Sequence, residues 1–238
     1  MNIALLTQWP LFQGIPEEEA AHLLTDLGAH IKRYEKGETV YHAGDTVTAL
    51  GLVLSGSVLV ARDDFWGNTT VLDHVGPGQV FAETYACTPG EALMVYVAAA
   101  EPVQVLFLNM SRVLDVRGSV GTSQGTLVRN LLALSAQKNL TLSRKIFHTS
   151  PKTIRGRLLS YLSEQAVRAG SNRFTIPFDR QQLADYLGVE RSALSHELGK
   201  MRREGLLQVR KNAFILEPDC QNSRRQLSPL LPPHEKNF

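Results

Sequence analysis

The sequence predicts an α+β chain: a sandwich or barrel-like roll of short strands, then one long helix, then a compact helical unit closed by a strand–turn–strand. Three observations predict this order. Short apolar runs rich in β-branched residues, punctuated by glycine, fill residues 31–108. An apolar pattern of helical period, unbroken by proline, fills residues 120–147. Two helical patterns joined by a glycine turn follow at 179–187 and 190–204, with apolar strand-like runs at 206–209 and 214–216.

Taken in order, residues 1–30 read as short helical pieces. Ile15-Pro16-Glu17-Glu18-Glu19 starts one, with proline in the first turn and carboxylates near the positive end of the helix. Leu52-Val53-Leu54, Val58-Leu59-Val60 and Val103-Gln104-Val105-Leu106-Phe107 are strand cores, and glycines such as Gly51, Gly56 and Gly78 mark turns between such runs. On the long helix, Leu127, Leu131 and Leu134 form one apolar stripe, and Val128, Leu132 and Ala136 a second beside it. Leu140, Leu142 and Ile146 continue the apolar content. Two adjacent stripes let one helix face its own domain and a second helix at once, which predicts a dimer seam. Ser150-Pro151 then breaks the helix, starts the next one and reads as a hinge. Helical patterns occupy 151–168, 179–187 and 190–204; Phe174-Thr175-Ile176 is a short strand. The polar, proline-rich residues 219–238 are expected to be loosely ordered. The domain boundaries are therefore set at 1–118, 119–148, 149–218 and 219–238.

Charge is distributed unevenly along these parts. Residues 1–115 carry 5 Lys/Arg against 14 Asp/Glu, residues 116–149 carry 5 and none, and residues 150–220 carry 12 and 8. An acidic module is joined to a basic one, and the basic one is where a polyanion would bind. Cys87 and Cys220 are the two cysteines, with no CxxC pair, which excludes a four-thiolate iron–sulfur or zinc site within one chain and a disulfide framework. There is no basic-then-apolar leader and no run of about 18 apolar residues, so a cytoplasmic protein with no membrane partner is expected.

The stretch from Asp179 to Leu207 carries the function. Asp179 reads as an N-cap of a helix with Leu183, Ala184 and Leu187 on its apolar face, and Gly188 supplies a turn residue with positive φ. In the next helix Leu194, Leu198 and Met201 share one face. Arg191, Ser192, Ser195, His196, Lys200 and Arg203 share the other, and nearly all can donate a hydrogen bond. Helix, glycine turn and helix is the arrangement whose second helix enters the major groove of double-stranded DNA. Arg191, Ser192, Ser195 and His196 lie on its first exposed turns, where base edges are met; Lys200, Arg202 and Arg203 lie further along, nearer phosphates. Arg210 and Lys211 stand at the tip of the strand–turn–strand, which reads as a wing along the DNA backbone. Arg180 and Gln181, at the start of the first helix, complete the candidate DNA contacts.

"DRQQLADYLGVERSALSHELGKMRREGLL" resembles the winged-helix end of the cyclic-AMP receptor/fumarate–nitrate regulator (CRP/FNR) family. "YEKGETVYHAGD", "GLVLSGSVLV" and "GPGQVFAE" resemble its N-terminal half, in the same order, and the resemblance spans about residues 8–217. It implies an antiparallel, cyclic-nucleotide-binding-like β-roll sensor, a long dimerisation helix and a C-terminal winged helix-turn-helix. The homodimer would read a palindromic operator, one half-site per subunit, with RNA polymerase as a further partner if the regulator activates. Arg191, Ser192, Ser195 and His196 fall at the family's base-reading positions. His196 stands where well-known members have Arg, so their operator sequence does not transfer.

The resemblance also bears on the effector. Members that bind cyclic AMP hold its ribose with a Gly-Glu pair and its phosphate with an Arg-Ser pair. Here Ala82-Glu83 and Leu93-Met94 stand in those places. Leu and Met donate nothing to a phosphate, and a buried phosphate without donors is costly. Cyclic AMP is therefore not expected. The oxygen sensors' cysteine cluster is absent, and Glu83 falls where the haem-binding member has its ligand. Two readings remain for Phe81, Glu83, Tyr85, Leu93, Met94 and Tyr96, with Leu142 and Ser143. They line a pocket for a small, largely apolar effector, or they are plain core with Glu83 a structural carboxylate. Cys87 is likewise either a redox-responsive thiol or structural. No cofactor is expected. The alternative function is a β-roll ligand-binding protein or cupin-like metal enzyme with an adaptor C-terminal domain. "VYHAGD" offers one histidine and no partner two residues on, so neither metal nor enzyme activity is expected.

Overall fold

A computed structural model of the protein describes residues 2–67, 69–115 and 122–217. The expected loose tail at 219–238 and the junction at 118/119 lie outside these residues. The chain divides into two compact units, one ending at Asn139 and the other beginning at Leu140.

The first unit opens with helix α1 (Ile3–Leu6), a 3-10 turn (Pro10–Phe12) and helix α2 (Glu17–Asp26). Pro16 is the N-cap of α2 rather than a first-turn residue, and Glu17, Glu18 and Glu19 fill its first turn. Strands β1 (His30–Tyr34), β2 (Thr39–Tyr41), β3 (Ala49–Ser55), β4 (Val58–Asp63), β5 (Thr69–Val75) and β6 (Val80–Phe81) follow. Helix α3 (Glu83–Ala86), strands β7 (Tyr96–Ala99) and β8 (Val103–Asn109) and helix α4 (Met110–Val113) complete the roll. All pairings are antiparallel, in two four-stranded sheets ordered β1-β8-β3-β6 and β2-β7-β4-β5.

Period-two alternation explains how the sheets pack. On β8, Val103, Val105 and Phe107 enter the core with Tyr34, Val58 and Val97. Leu106 and Leu108 enter a second core with Leu6, Phe12 and Leu24 of the N-terminal helical segment. Both faces of β8 are buried, which is why it reads as a continuous apolar run. Helix α5 (Ser123–Thr149) begins in this unit, and its Leu127 and Leu131 close the second core. Val128 and Leu134 pack against that core from its margin, whereas Leu132, Leu140, Leu142, Ile146 and Phe147 are exposed.

The second unit contains the end of α5, helix α6 (Ile154–Ala169), strand β9 (Arg173–Thr175), helices α7 (Arg180–Leu187) and α8 (Arg191–Arg203), and strands β10 (Leu207–Arg210) and β11 (Ala213–Leu216). Its sheet is ordered β10-β11-β9, and its core gathers Leu158, Leu162, Leu183, Leu187, Leu194, Leu198, Met201 and Phe214. Pro151 does not start α6. The helix begins three residues later, where the Thr153 hydroxyl accepts the Gly156 N–H at 3.0 Å. A side-chain N-cap wins over proline here because it satisfies a first-turn donor that proline leaves open.

Candidate nucleic-acid interface

Helix α7 starts with a complete capping box. The Asp179 carboxylate accepts the Gln182 N–H at 2.9 Å, and the Gln182 side chain accepts the Asp179 N–H at 2.9 Å. It ends at Gly188, whose φ of 62° lies in the left-handed region that a Cβ disfavours. Two residues later Glu190 leads into α8, its side chain making no capping hydrogen bond. Ser192 is the second helical residue, because Glu190 stands outside the helix.

Leu194, Leu198 and Met201 anchor α8 in the core, at about 1.5–3 kcal/mol for each fully buried side chain. This leaves Arg191, Ser192, Ser195, His196, Lys200, Arg202 and Arg203 exposed. Ser192, His196 and Lys200 lie four apart and form one row, with Arg191 and Ser195 beside it. Arg203 reaches back to the Gly199 carbonyl at 3.4 Å.

Two arginines fix this helix, and neither was singled out from the sequence. Arg155 of α6 donates to Glu197 at 2.6 Å and to Glu204 at 2.8 Å, tying both acidic residues to the far side of α8. The hydrogen bond from Arg155 holds the Glu204 carboxyl below the usual carboxylate range. Arg157 Nη1 donates to the carbonyls of Leu187 at 2.9 Å and Gly188 at 3.0 Å, securing the turn between α7 and α8. The arginine-to-acid partners lie 42 and 49 positions apart, so no local pattern reveals them.

The wing is the β10–β11 hairpin, with Arg210 paired to Ala213 and Lys211 and Asn212 as its loop. Lys211 takes φ 54° and is exposed, an unusual backbone state for a side chain with a Cβ. Asn212 exchanges hydrogen bonds with the Ile176 backbone at 3.0 Å, which fastens the tip to the unit. Arg180 is half-buried, its guanidinium 5.4 Å from the centre of the Phe214 ring, and burial lowers its pKa. Arg180 therefore packs the wing as well as facing outward. Gln181 is exposed and donates to Asp185 at 2.8 Å.

The expected effector residues are placed differently. Phe81 and Leu93 are core residues, 2% and 3% exposed, rather than an open lining. The Phe81 ring lies over Gly51, where a Cβ would come within 2.2 Å of Phe81 Cζ. Met94 is 67% exposed. Tyr85 Oη accepts the Met94 N–H at 3.5 Å, and Tyr96 Oη donates to Asp63 at 3.4 Å. Glu83 is buried and already partnered: Lys138 Nζ donates to it at 2.9 Å and to the Val80 carbonyl at 2.8 Å. Ala82, just before it, takes φ 58° in the left-handed region. Partial burial and then the Glu83 charge push the Cys87 thiol up, which makes its thiolate scarce near neutrality. Leu142 is exposed, Ser143 is half-buried, and both belong to the second unit. A cavity of about 360 Å³ lies elsewhere in the first unit, lined by Ile3, Ala21, Leu24, Thr25, Ala29, Ile31 and Leu106. Among the described residues no cluster of three or more His, Cys, Asp or Glu could hold a metal, and no helix is long and apolar enough to cross a membrane.

Comparison with known proteins agrees with this arrangement. A family model for a cyclic nucleotide-binding domain matches residues 31–118, and one for a Crp-like helix-turn-helix domain matches residues 156–220. The chain is 26% identical over 200 residues to the cyclic AMP receptor protein of Thermus thermophilus, covering 84% of this chain and 88% of that one. It is 23% identical over 230 residues to the CRP-like cAMP-activated global transcriptional regulator of Mycobacterium tuberculosis, covering 93% and 98%. Among solved structures, CprK complexed with OCPA has a TM-score of 0.57 at 18% identity, covering 84% of this chain and 91% of that one, a likeness of fold.

Proposed function

We propose that this chain, which belongs to the CRP/FNR family of transcription regulators, works in the cytoplasm as a homodimer that reads a palindromic operator. The observation that carries the reading is the outer face of α8. Arg191, Ser192, Ser195, His196 and Lys200 are exposed on a helix whose inner face is locked in a core. Arg191 and His196 donate to guanine edges, and Ser192 and Ser195 bond to several base edges. Lys200, Arg203, Arg210 and Lys211 contact phosphates. Contact with RNA polymerase follows only for an activator.

The large exposed apolar side chains of α5, Leu132, Leu140, Leu142, Ile146 and Phe147, support the dimer, because a second copy of the helix would cover them. Two recognition helices then meet successive major grooves about 34 Å apart.

The effector in this reading is a small molecule other than cyclic AMP. Neither buried Leu93 nor exposed Met94 has a side-chain donor for a phosphate. An effector at this site would meet the Glu83–Lys138 pair, Tyr85, Met94 and Tyr96 rather than Phe81 or Leu93. It would act by favouring the DNA-competent arrangement of the dimer. Regulation of transcription, not catalysis, is the activity proposed.

A binding selection from random duplex DNA tests the function. The purified protein at near-physiological salt should enrich a two-fold symmetric sequence. Failure to enrich any sequence over nonspecific competitor, with and without cell extract metabolites, would remove the DNA-reading assignment.

A further inference from the structure

The sequence marks Ser150-Pro151 as a hinge between the long helix and the next one. The structure closes that segment from several sides. The Ser150 hydroxyl donates to the Ile146 carbonyl at 2.6 Å, and Arg157 Nε donates to the Pro151 carbonyl at 3.0 Å. The Pro151 ring packs over Gly156, where a Cβ would lie 2.9 Å from Pro151 Cβ. Ser160 donates to the Phe147 carbonyl at 3.4 Å. The same Arg157 that holds Pro151 also holds the turn between α7 and α8.

The strongest of these ties is a buried histidine. His148, one residue before the end of α5, is 3% exposed. Its Nε2 lies 2.6 Å from Glu164 of α6, and its Nδ1 lies 2.9 Å from the Tyr186 hydroxyl of α7. With Nε2 carrying the proton, Nε2 donates to the carboxylate and Nδ1 accepts the Tyr186 O–H. Burial, then the nearby Glu164 charge, pushes the Tyr186 pKa up, so the hydroxyl keeps its proton. Glu164 is in turn held by Arg168 at 2.7 Å and Arg144 at 3.6 Å. The imidazole stands edge-on to Tyr161 at 5.3 Å and tilted against Tyr186 at 5.8 Å. One side chain of the long helix thus joins two helices of the DNA-binding unit, one of them the first helix of the helix-turn-helix.

We infer that His148 is a positioning residue for DNA reading: with Glu164 and Tyr186 it ties the last turns of α5 to the helix-turn-helix and so sets the angle of the elbow at Ser150-Pro151. A change that reaches the long helix then reaches α7 and α8 through this tie. In a two-fold dimer, the long helix and this elbow set the separation of the two recognition helices, and hence the spacer between half-sites. The inference rests on the DNA-reading proposal and goes beyond it, because it names the residue that sets the spacing rather than the base preference.

The test repeats the random-duplex selection with full-length wild type, His148→Ala and Tyr186→Phe, each checked for folding by circular dichroism. Tyr186→Phe keeps the ring and removes only the hydroxyl, so it stays informative if His148→Ala does not fold. The expected result is the wild-type half-site in both variants with a broadened spacer, alternatives of one or two base pairs being enriched. Affinity for the wild-type spacing should fall by about tenfold for His148→Ala and less for Tyr186→Phe. A merely structural role would reduce yield or melting temperature and leave the spacer unchanged. A single wild-type spacer retained by a folded Tyr186→Phe protein overturns the inference. A changed half-site sequence overturns it too, since His148 would then act on base reading. If the wild type itself enriches nothing, the DNA-reading proposal fails and this inference falls with it.

Discussion

The two units of the chain put their polar groups to opposite uses. In the C-terminal unit the groups on the outer face of α8 face solvent while an apolar stripe holds the helix in place. In the N-terminal unit three of the residues expected to meet a ligand are drawn into the roll, while Met94 stays exposed. Phe81 lies over Gly51, Leu93 is core, and Glu83 is paired with Lys138. A protein surface that reads DNA keeps its donors free, because the partner supplies the acceptors. A pocket is lined by the residue types that also make a core, and only packing tells the two apart.

Breaking the long helix's exposed face should give the largest effect. Leu140→Glu together with Ile146→Glu places charge on the apolar surface assigned to the dimer. Sedimentation should then report a monomer, and operator affinity should fall by about 10²–10⁴-fold, since two linked half-site contacts become one. A dimer of unchanged operator affinity would detach this face from assembly.

Next in size is the anchor of the recognition helix. Leu194 is fully buried, so Leu194→Ala should cost about 2–5 kcal/mol in chemical denaturation of the C-terminal unit. His196→Ala sharpens the contrast within the same helix. Its side chain is exposed, so stability should hold while discrimination falls by about 1–3 kcal/mol at one position of each half-site. Lys200→Ala should instead weaken binding to all duplexes alike and reduce the salt slope by about one per subunit.

The smallest effects probe the roll. Ala82→Gly relieves a left-handed backbone at a residue with a Cβ and should stabilise the first unit by about 1 kcal/mol, seen as a higher melting temperature. Cyclic AMP at millimolar concentration should leave that melting temperature unchanged, and a clear upward shift would reverse the reading of Leu93 and Met94.

The legible parts of the fold were those governed by local rules. Asp179 as a cap, Gly188 as a left-handed turn and the stripe of Leu194, Leu198 and Met201 each follow from residues within a few positions of one another. Strand β8 was legible because it is apolar on both faces, whereas the largely exposed β1 and β5 offered no such run. The clamps were not. Arg155, Arg157 and Lys138 look like any solvated cation, and Lys138 and Glu83 meet across 55 positions. His148 reads as an ordinary basic residue in a last helical turn, and only the fold shows it buried between Glu164 and Tyr186. Thr153, not Pro151, sets the start of α6, because its hydroxyl caps the first turn.

The most direct test of the central claim is the random-duplex selection run in parallel on wild type and His196→Ala. A two-fold symmetric consensus is expected, with half-site centres about 34 Å apart, relaxed by the variant at one base pair in each half. No symmetric consensus, or one that His196→Ala leaves unchanged at every position, would contradict it.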